Sequence, residues 1–136
     1  MRKNILIKVL LIIICVVTIF HLCVVAKIIP YDIAWGGQLQ NDTEMYVFEF
    51  LSIFINLFLG FVLLMKNGTI QKYFKQRVIN FILWIYFALF TINTVGNLFA
   101  KTNFEKSFSI LTLIFAILIW AILKGGKRDL DAKNES

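Results

Sequence analysis

The sequence predicts an all-α integral-membrane protein, an antiparallel four-helix bundle with both termini on the cytoplasmic side. Three observations carry that prediction. Hydrophobic residues make up 60% of the 136 residues and charged residues only 16%. The apolar residues gather in four runs of roughly membrane-spanning length, at about 5–29, 44–65, 78–100 and 104–123. Lysine and arginine collect in alternate gaps between those runs. A soluble domain of this size hides too small a share of its surface to bury so much apolar side chain. The bilayer is therefore the solvent, and the organisation is one four-span domain over 1–124 followed by a polar tail at 125–136.

Each element has its own justification. Met1-Arg2-Lys3-Asn4 ahead of an apolar run imitates a signal peptide. The run from Ile5 to Ile29 is longer than a signal peptide's apolar region, and Val24-Val25-Ala26 is a poor cleavage site, so an uncleaved first span is expected. Lys8 snorkels at its inner end, and Pro30 stops it. The loop from Tyr31 to Thr43 carries Trp35-Gly36-Gly37-Gln38-Leu39, whose paired glycines permit a tight turn. Asn41 and Glu44 have the spacing of a capping pair at the second span, which closes at Lys66-Asn67-Gly68. Lys101-Thr102-Asn103 is a short turn, so the third and fourth spans form a tight hairpin, and Thr102 with Glu105 has capping-box spacing. The segment from Lys124 to Ser136, with Gly125-Gly126, reads as a solvated, partly disordered end.

Charge sets orientation and excludes whole classes of function. Arg2, Lys3 and Lys8 precede the first span; Lys66, Lys72, Lys75 and Arg77 lie between the second and third; Lys124, Lys127 and Arg128 follow the fourth. The remaining connectors carry Asp32, Asp42 and Glu44, then Lys101, Glu105 and Lys106. The positive-inside rule then places both ends in the cytoplasm of a bacterial inner membrane. The formal charge of +6 flanks apolar runs rather than forming one face, which argues for contact with anionic lipid head groups and against nucleic acid. Cys15 and Cys23 lie eight residues apart in one helix, about 12 Å, too far for a mutual disulfide. No Cys/His cluster, phosphate loop or lipidation signal is present, so no metal or cofactor is expected.

Function must be sought in the polar groups inside the spans, because each needs a reason to be there. At about 100° per residue, Glu49, Ser52, Asn56 and Gly60 share one face of the second span. Tyr86, Asn93, Asn97 and Ala100 make a stripe on the third; Glu105, Ser109, Thr112 and Ala116 make one on the fourth; His21, with Thr18 nearby, stands on the first. Most of these belong to the outer half of the membrane, where lipid offers no hydrogen-bonding partner, so the stripes are expected to converge. Two readings stand side by side. In one, Glu49, Ser52, Asn56, Asn93, Asn97 and His21 form an outward-opening polar cavity in which Glu49 binds a cation, donates a hydrogen bond or exchanges a proton, with Trp35, the two glycines and Gln38 as a lid. In the other, Glu49 bonds Asn93 or Asn97 as interhelical glue, and Trp35 anchors the interface. Glu105 reads as a helix cap, and Gly60 and Gly96 as sites of close helix contact.

Three segments also look familiar: Ala34-Trp35-Gly36-Gly37-Gln38-Leu39, then Glu44 to Glu49 with Ser52 and Asn56, then Asn93-Thr94-Val95-Gly96-Asn97-Leu98-Phe99-Ala100 running into Glu105-Lys106. In these the chain resembles a group of small bacterial four-span membrane proteins, a likeness that brings no activity and no catalytic residue with it. In architecture alone it is similar to the emopamil-binding-protein superfamily and to DoxX-like proteins. The leading expectation is binding of a small polar or amphiphilic ligand. Alternatives are a structural or regulatory subunit that docks a larger membrane protein or its own copies, and a membrane-embedded lipid-modifying enzyme working through His21 and Glu49.

Overall fold

In hydrocarbon a spanning chain must satisfy its own backbone, and runs of Ile, Leu, Phe and Val do so as helices. A computed structural model describes residues 2–135 and is helical: α1 (Arg2–Val25), α2 (Tyr31–Ala34), α3 (Asp42–Asn67), α4 (Gln76–Leu98) and α5 (Asn103–Asn134). Met1 and Ser136 lie outside the described residues. Four of these helices, all but α2, are long and apolar enough to cross a membrane. Large apolar side chains stand outward on each: Ile12, Phe54, Phe81 and Ile110 are all well exposed. Such surfaces belong against lipid, as in a multi-pass membrane protein.

The ends of the helices are where the structure departs from expectation. α1 stops at Val25 rather than running on to Pro30. The chain folds back through Lys27, whose φ is 58°, and the N–H groups of Ile28 and Ile29 both donate to the Cys23 carbonyl. Pro30 instead starts the short α2, a position where its missing N–H costs nothing. Asn41 Oδ1 accepts from the Glu44 N–H at 2.9 Å, while the Glu44 carboxylate reaches back to Gln40 N–H and not to Asn41. At α5 the capping box of Thr102 and Glu105 is complete. Gly68, with φ 79°, closes α3 in the left-handed conformation that favours glycine.

The segment expected to be disordered continues α5 as helix to Asn134. Gly125 and Gly126 explain how it stays packed. A Cβ added at Gly125 would lie 3.7 Å from the Lys3 side chain, and one at Gly126 only 3.3 Å from Lys66 Nζ. α5 here lies against the start of α1 and the end of α3, and at Gly126 the absent side chain leaves room for the Lys66 ammonium.

Around the ring, α1 touches α3 and α5, and α4 touches α5 and α3. The main core fills the ring from Ile7, Leu10 and Ile14 of α1 through Leu59 and Leu63 of α3 to Leu83 of α4 and Ile119 of α5. A smaller cluster of Val24, Leu39 and Met45 lies under the connection between α1 and α3, against Phe20 and Trp35. Gly60 is buried where α3 faces α1, but a Cβ there would lie 3.9 Å from Leu11 and Ile14, an ordinary contact distance that does not require glycine. Gly96 makes no such contact: it is exposed and a Cβ there would meet nothing within 4 Å. It faces outward from α4, so the close contact expected there is absent.

Candidate functional site

Between the two apolar clusters lies a cavity of about 300 Å³. Its polar lining holds all of Glu49, Ser52, Asn56, Asn93, Asn97, His21 and Trp35, so the structure brings the whole sequence-derived set to one place. α3 supplies Glu49, Ser52 and Asn56 from successive turns of one face; α4 supplies Asn93 and Asn97; α1 supplies His21. Phe20, Phe90, Phe108 and Phe115 form an aromatic wall, with the Phe90 and Phe115 ring centres 4.6 Å apart. Below, Tyr86 donates to the Ile55 carbonyl at 2.8 Å, and the hydroxyls of Thr94 and Thr112 bond at 2.8 Å. These contacts tie α4 to α3 and α5 and close the floor.

Glu49 is fully buried, at 0% exposure. Its two oxygens are held by different elements. Oε2 lies 2.6 Å from His21 Nδ1, and Oε1 accepts from the Trp35 indole N–H at 2.7 Å. A buried carboxyl group needs such partners, since an unpaired one forfeits several kcal/mol of solvation, on the order of 3–5 when a partner is removed. His21 Nε2 makes no hydrogen bond among the described residues. The ring of Phe20 meets the imidazole edge to face, with centres 5.7 Å apart.

The glue contact anticipated between Glu49 and Asn93 or Asn97 is not formed, because His21 and Trp35 occupy both carboxyl oxygens. What remains is more informative. The side-chain amides of Asn56, Asn93 and Asn97 make no hydrogen bond among the described residues, yet Asn56 is only 5% exposed. Ser52 and Ser109 satisfy themselves on their own helices, donating to the carbonyls of Phe48 and Lys106. Ser109 and Thr18 stay outside the cavity lining, and the Thr18 hydroxyl is buried without a partner. Asn93 is exposed as well as cavity-lining, so the space reaches the surface beside α4.

Two residues matter more here than their sequence positions suggested. Glu105 caps α5 through Oε2, and its Oε1 accepts from Gln38 Nε2 at 2.8 Å while the side chain lines the cavity. One carboxylate therefore serves as helix cap and as anchor for the loop. The capping-box spacing gave the first role; nothing local gave the second. Gly36 makes the docking possible. Its φ is +57°, and a Cβ there would collide with the Glu105 carboxylate. Trp35 and Gln38 thus strap the loop across one end of the cavity, one to each buried acid.

No protein-family model matches this chain, and neither curated proteins nor solved structures gave a match. Among the described residues, no group of three or more His, Cys, Asp or Glu is placed to hold a metal ion. The fold and site together define a class: a helical chain with four candidate spans enclosing a polar, acid-containing cavity.

Proposed function

We propose that this is a multi-pass inner-membrane protein, an antiparallel four-helix bundle, that binds a small polar or amphiphilic ligand in an outward-opening cavity. One observation carries the reading: Asn56 is only 5% exposed, its side chain makes no hydrogen bond among the described residues, and it lines the space that Glu49 also lines. An amide held away from bulk water with no protein partner is free to bond a polar group that enters the cavity. Glu49, oriented by His21 and Trp35, recognises a donor or cation. Asn56, Asn93 and Asn97 orient the polar part, and the phenylalanine wall holds an apolar portion. The Trp35–Gln38 strap acts as the lid. Its likeness to small bacterial four-span proteins belongs to the same reading.

The test uses Asn56→Cys in a chain with Cys15 and Cys23 replaced by alanine. A membrane-impermeant quaternary-ammonium thiol reagent is applied to right-side-out and to inverted vesicles. Fast modification from the outer side is expected, far above that of a Leu63→Cys core control, with Glu49→Gln slowing the cationic reagent relative to a neutral one. Labelling no faster than at Leu63, or only from the inner side, overturns the outward-opening cavity.

The His21–Glu49 contact favours a second reading. An imidazole with a carboxyl partner on Nδ1 and no bond on Nε2 is equipped for proton transfer to a membrane-embedded substrate. A change in lipid composition on deletion, restored by the wild-type chain but not by His21→Ala, would favour catalysis over binding alone.

A further inference from the structure

At the opposite end of the helical ring, where α1 begins and α3 ends, lies a second cavity of about 710 Å³. Lys3, Lys66, Lys72, Lys124 and Lys127 all line it, with Asn80 and Trp84 on the α4 side. Lys66 is the distinctive member. It is 7% exposed, far more buried than a flanking lysine that merely meets lipid head groups.

The hydrogen bonds around it run in one direction. Lys72 donates to Gln76 Oε1 at 3.2 Å, Gln76 Nε2 donates to Asn80 Oδ1 at 3.1 Å, and Lys66 Nζ donates to the same Asn80 oxygen. Both side-chain amide oxygens of the lining, on Gln76 and Asn80, are thereby already engaged. The polar groups of the lining that make no hydrogen bond among the described residues are donors: the Asn80 Nδ2 group, the Trp84 indole N–H, and the ammoniums of Lys124 and Lys127. No carboxylate pairs with Lys66, Lys72, Lys124 or Lys127 among the described residues. Lys124 instead lies 4.1 Å from the centre of the Trp120 ring. Gly126 leaves room for the buried ammonium. An assembly of convergent cations and amide donors, with its acceptors already engaged, suits a multiply charged oxyanion.

We propose that this cavity is a binding site for a phosphate group, carried either by a lipid head group or by a soluble phosphorylated compound, with Lys66 at its centre. The bound phosphate sits between Lys66 and the Asn80 amide and is flanked by Lys72, Lys124 and Lys127. It would hold the end of α5 against α3 and α4 at the face predicted to be cytoplasmic. This site is separate from the acid-containing cavity and does not depend on it.

The experiment uses the full chain in detergent, with binding of phosphatidic acid and phosphatidylcholine read by native mass spectrometry and binding of radiolabelled inorganic phosphate read by scintillation proximity. Phosphatidic acid is expected to be retained over phosphatidylcholine, and Lys66→Met is expected to lose about tenfold or more in affinity, the scale of one charge-assisted contact. Lys75→Gln, an exposed lysine outside the cavity, is expected to bind as wild type. Inorganic phosphate that binds and displaces phosphatidic acid identifies a soluble source. Retention of the lipid without competition identifies a head group. Should Lys66→Met fail to fold, Lys72→Gln with Lys127→Gln, both at exposed positions, reads the same loss. Undiminished binding in these variants, or equal retention of the two lipids with no binding of inorganic phosphate, overturns the proposal.

Discussion

The two ends of this molecule handle buried charge in opposite ways. At one end Glu49 is wholly enclosed, and each of its oxygens has a hydrogen-bond partner from another element. At the other, Lys66 is nearly enclosed, and its bond goes to a neutral amide oxygen shared with Gln76. The first arrangement engages both oxygens of its carboxyl group and leaves neutral amides wanting partners. The second leaves cationic groups wanting an anion. A buried charge matched within the fold contributes to holding the fold, whereas one left unmatched is a standing cost that a ligand removes.

Truncation at the two ends should therefore give unequal effects. Glu49→Ala strands the His21 and Trp35 donors and opens a hole. It is expected to cost about 3–5 kcal/mol of unfolding free energy, as for other broken buried pairs. Lys66→Met keeps the stem's volume, leaves Asn80 its bond from Gln76, and removes an ammonium without an acidic partner. Its expected effect is within about 1 kcal/mol of zero, the worth of one ordinary hydrogen bond. Denaturant unfolding in mixed micelles, followed by circular dichroism, measures both. Equal losses would erase the distinction between the ends.

This contrast also separates what the sequence discloses from what it conceals. The stripe of Glu49, Ser52 and Asn56 is legible because the spacing 49, 52, 56 puts three polar groups on one face of an apolar helix, a pattern lipid does not tolerate without cause. The stripes on α1 and α4 follow by the same arithmetic, and the six residues Glu49, Ser52, Asn56, Asn93, Asn97 and His21 line one cavity. Which of them bond each other was not legible. Helical periodicity gives a face, but not the rotation that turns Glu49 toward His21 and away from Asn93. The Lys66 site hid behind a stronger generality: basic residues at span ends read as topological markers, and only packing reveals that one of them is buried. The same limit applies to α5, whose polar composition predicts a loose end, while its paired glycines fit against Lys3 and Lys66.

A smaller effect tests the strap at the acid-containing end. Gly36→Ala introduces a Cβ at positive φ and against the Glu105 carboxylate. The backbone conformation alone costs about 1 kcal/mol, and the collision adds to it unless Glu105 swings away from Gln38. With Trp84 and Trp120 replaced by phenylalanine, Trp35 becomes the sole tryptophan and reports on the loop. Its emission should shift to the red and quench more readily in the Gly36→Ala protein, because the indole loses its place beside Glu49. Unchanged emission would mean that the loop docks without the glycine, and the strap would then owe nothing to Gly36.

The smallest effect belongs to a third kind of charge pair, which asks whether burial rather than charge separates the two ends. Lys27 Nζ donates to Asp42 Oδ2 at 2.5 Å, joining the turn after α1 to the start of α3, but both side chains are about half exposed. The hydrogen bond and charge of Asp42 hold the Lys27 ammonium above its ordinary value of 10.5. A basic group raised on folding stabilises the folded form below its unfolded value and loses that contribution as pH climbs through the folded one. The pair therefore helps throughout the neutral range and fades only in alkali above 10.5. Solvent screens it, so Lys27→Ala should move unfolding by far less than Glu49→Ala, and added salt should shrink its effect further. A Lys27→Ala loss as large as that of Glu49→Ala would show that exposure does not weaken this contact, and the ranking of the sites by burial would fail.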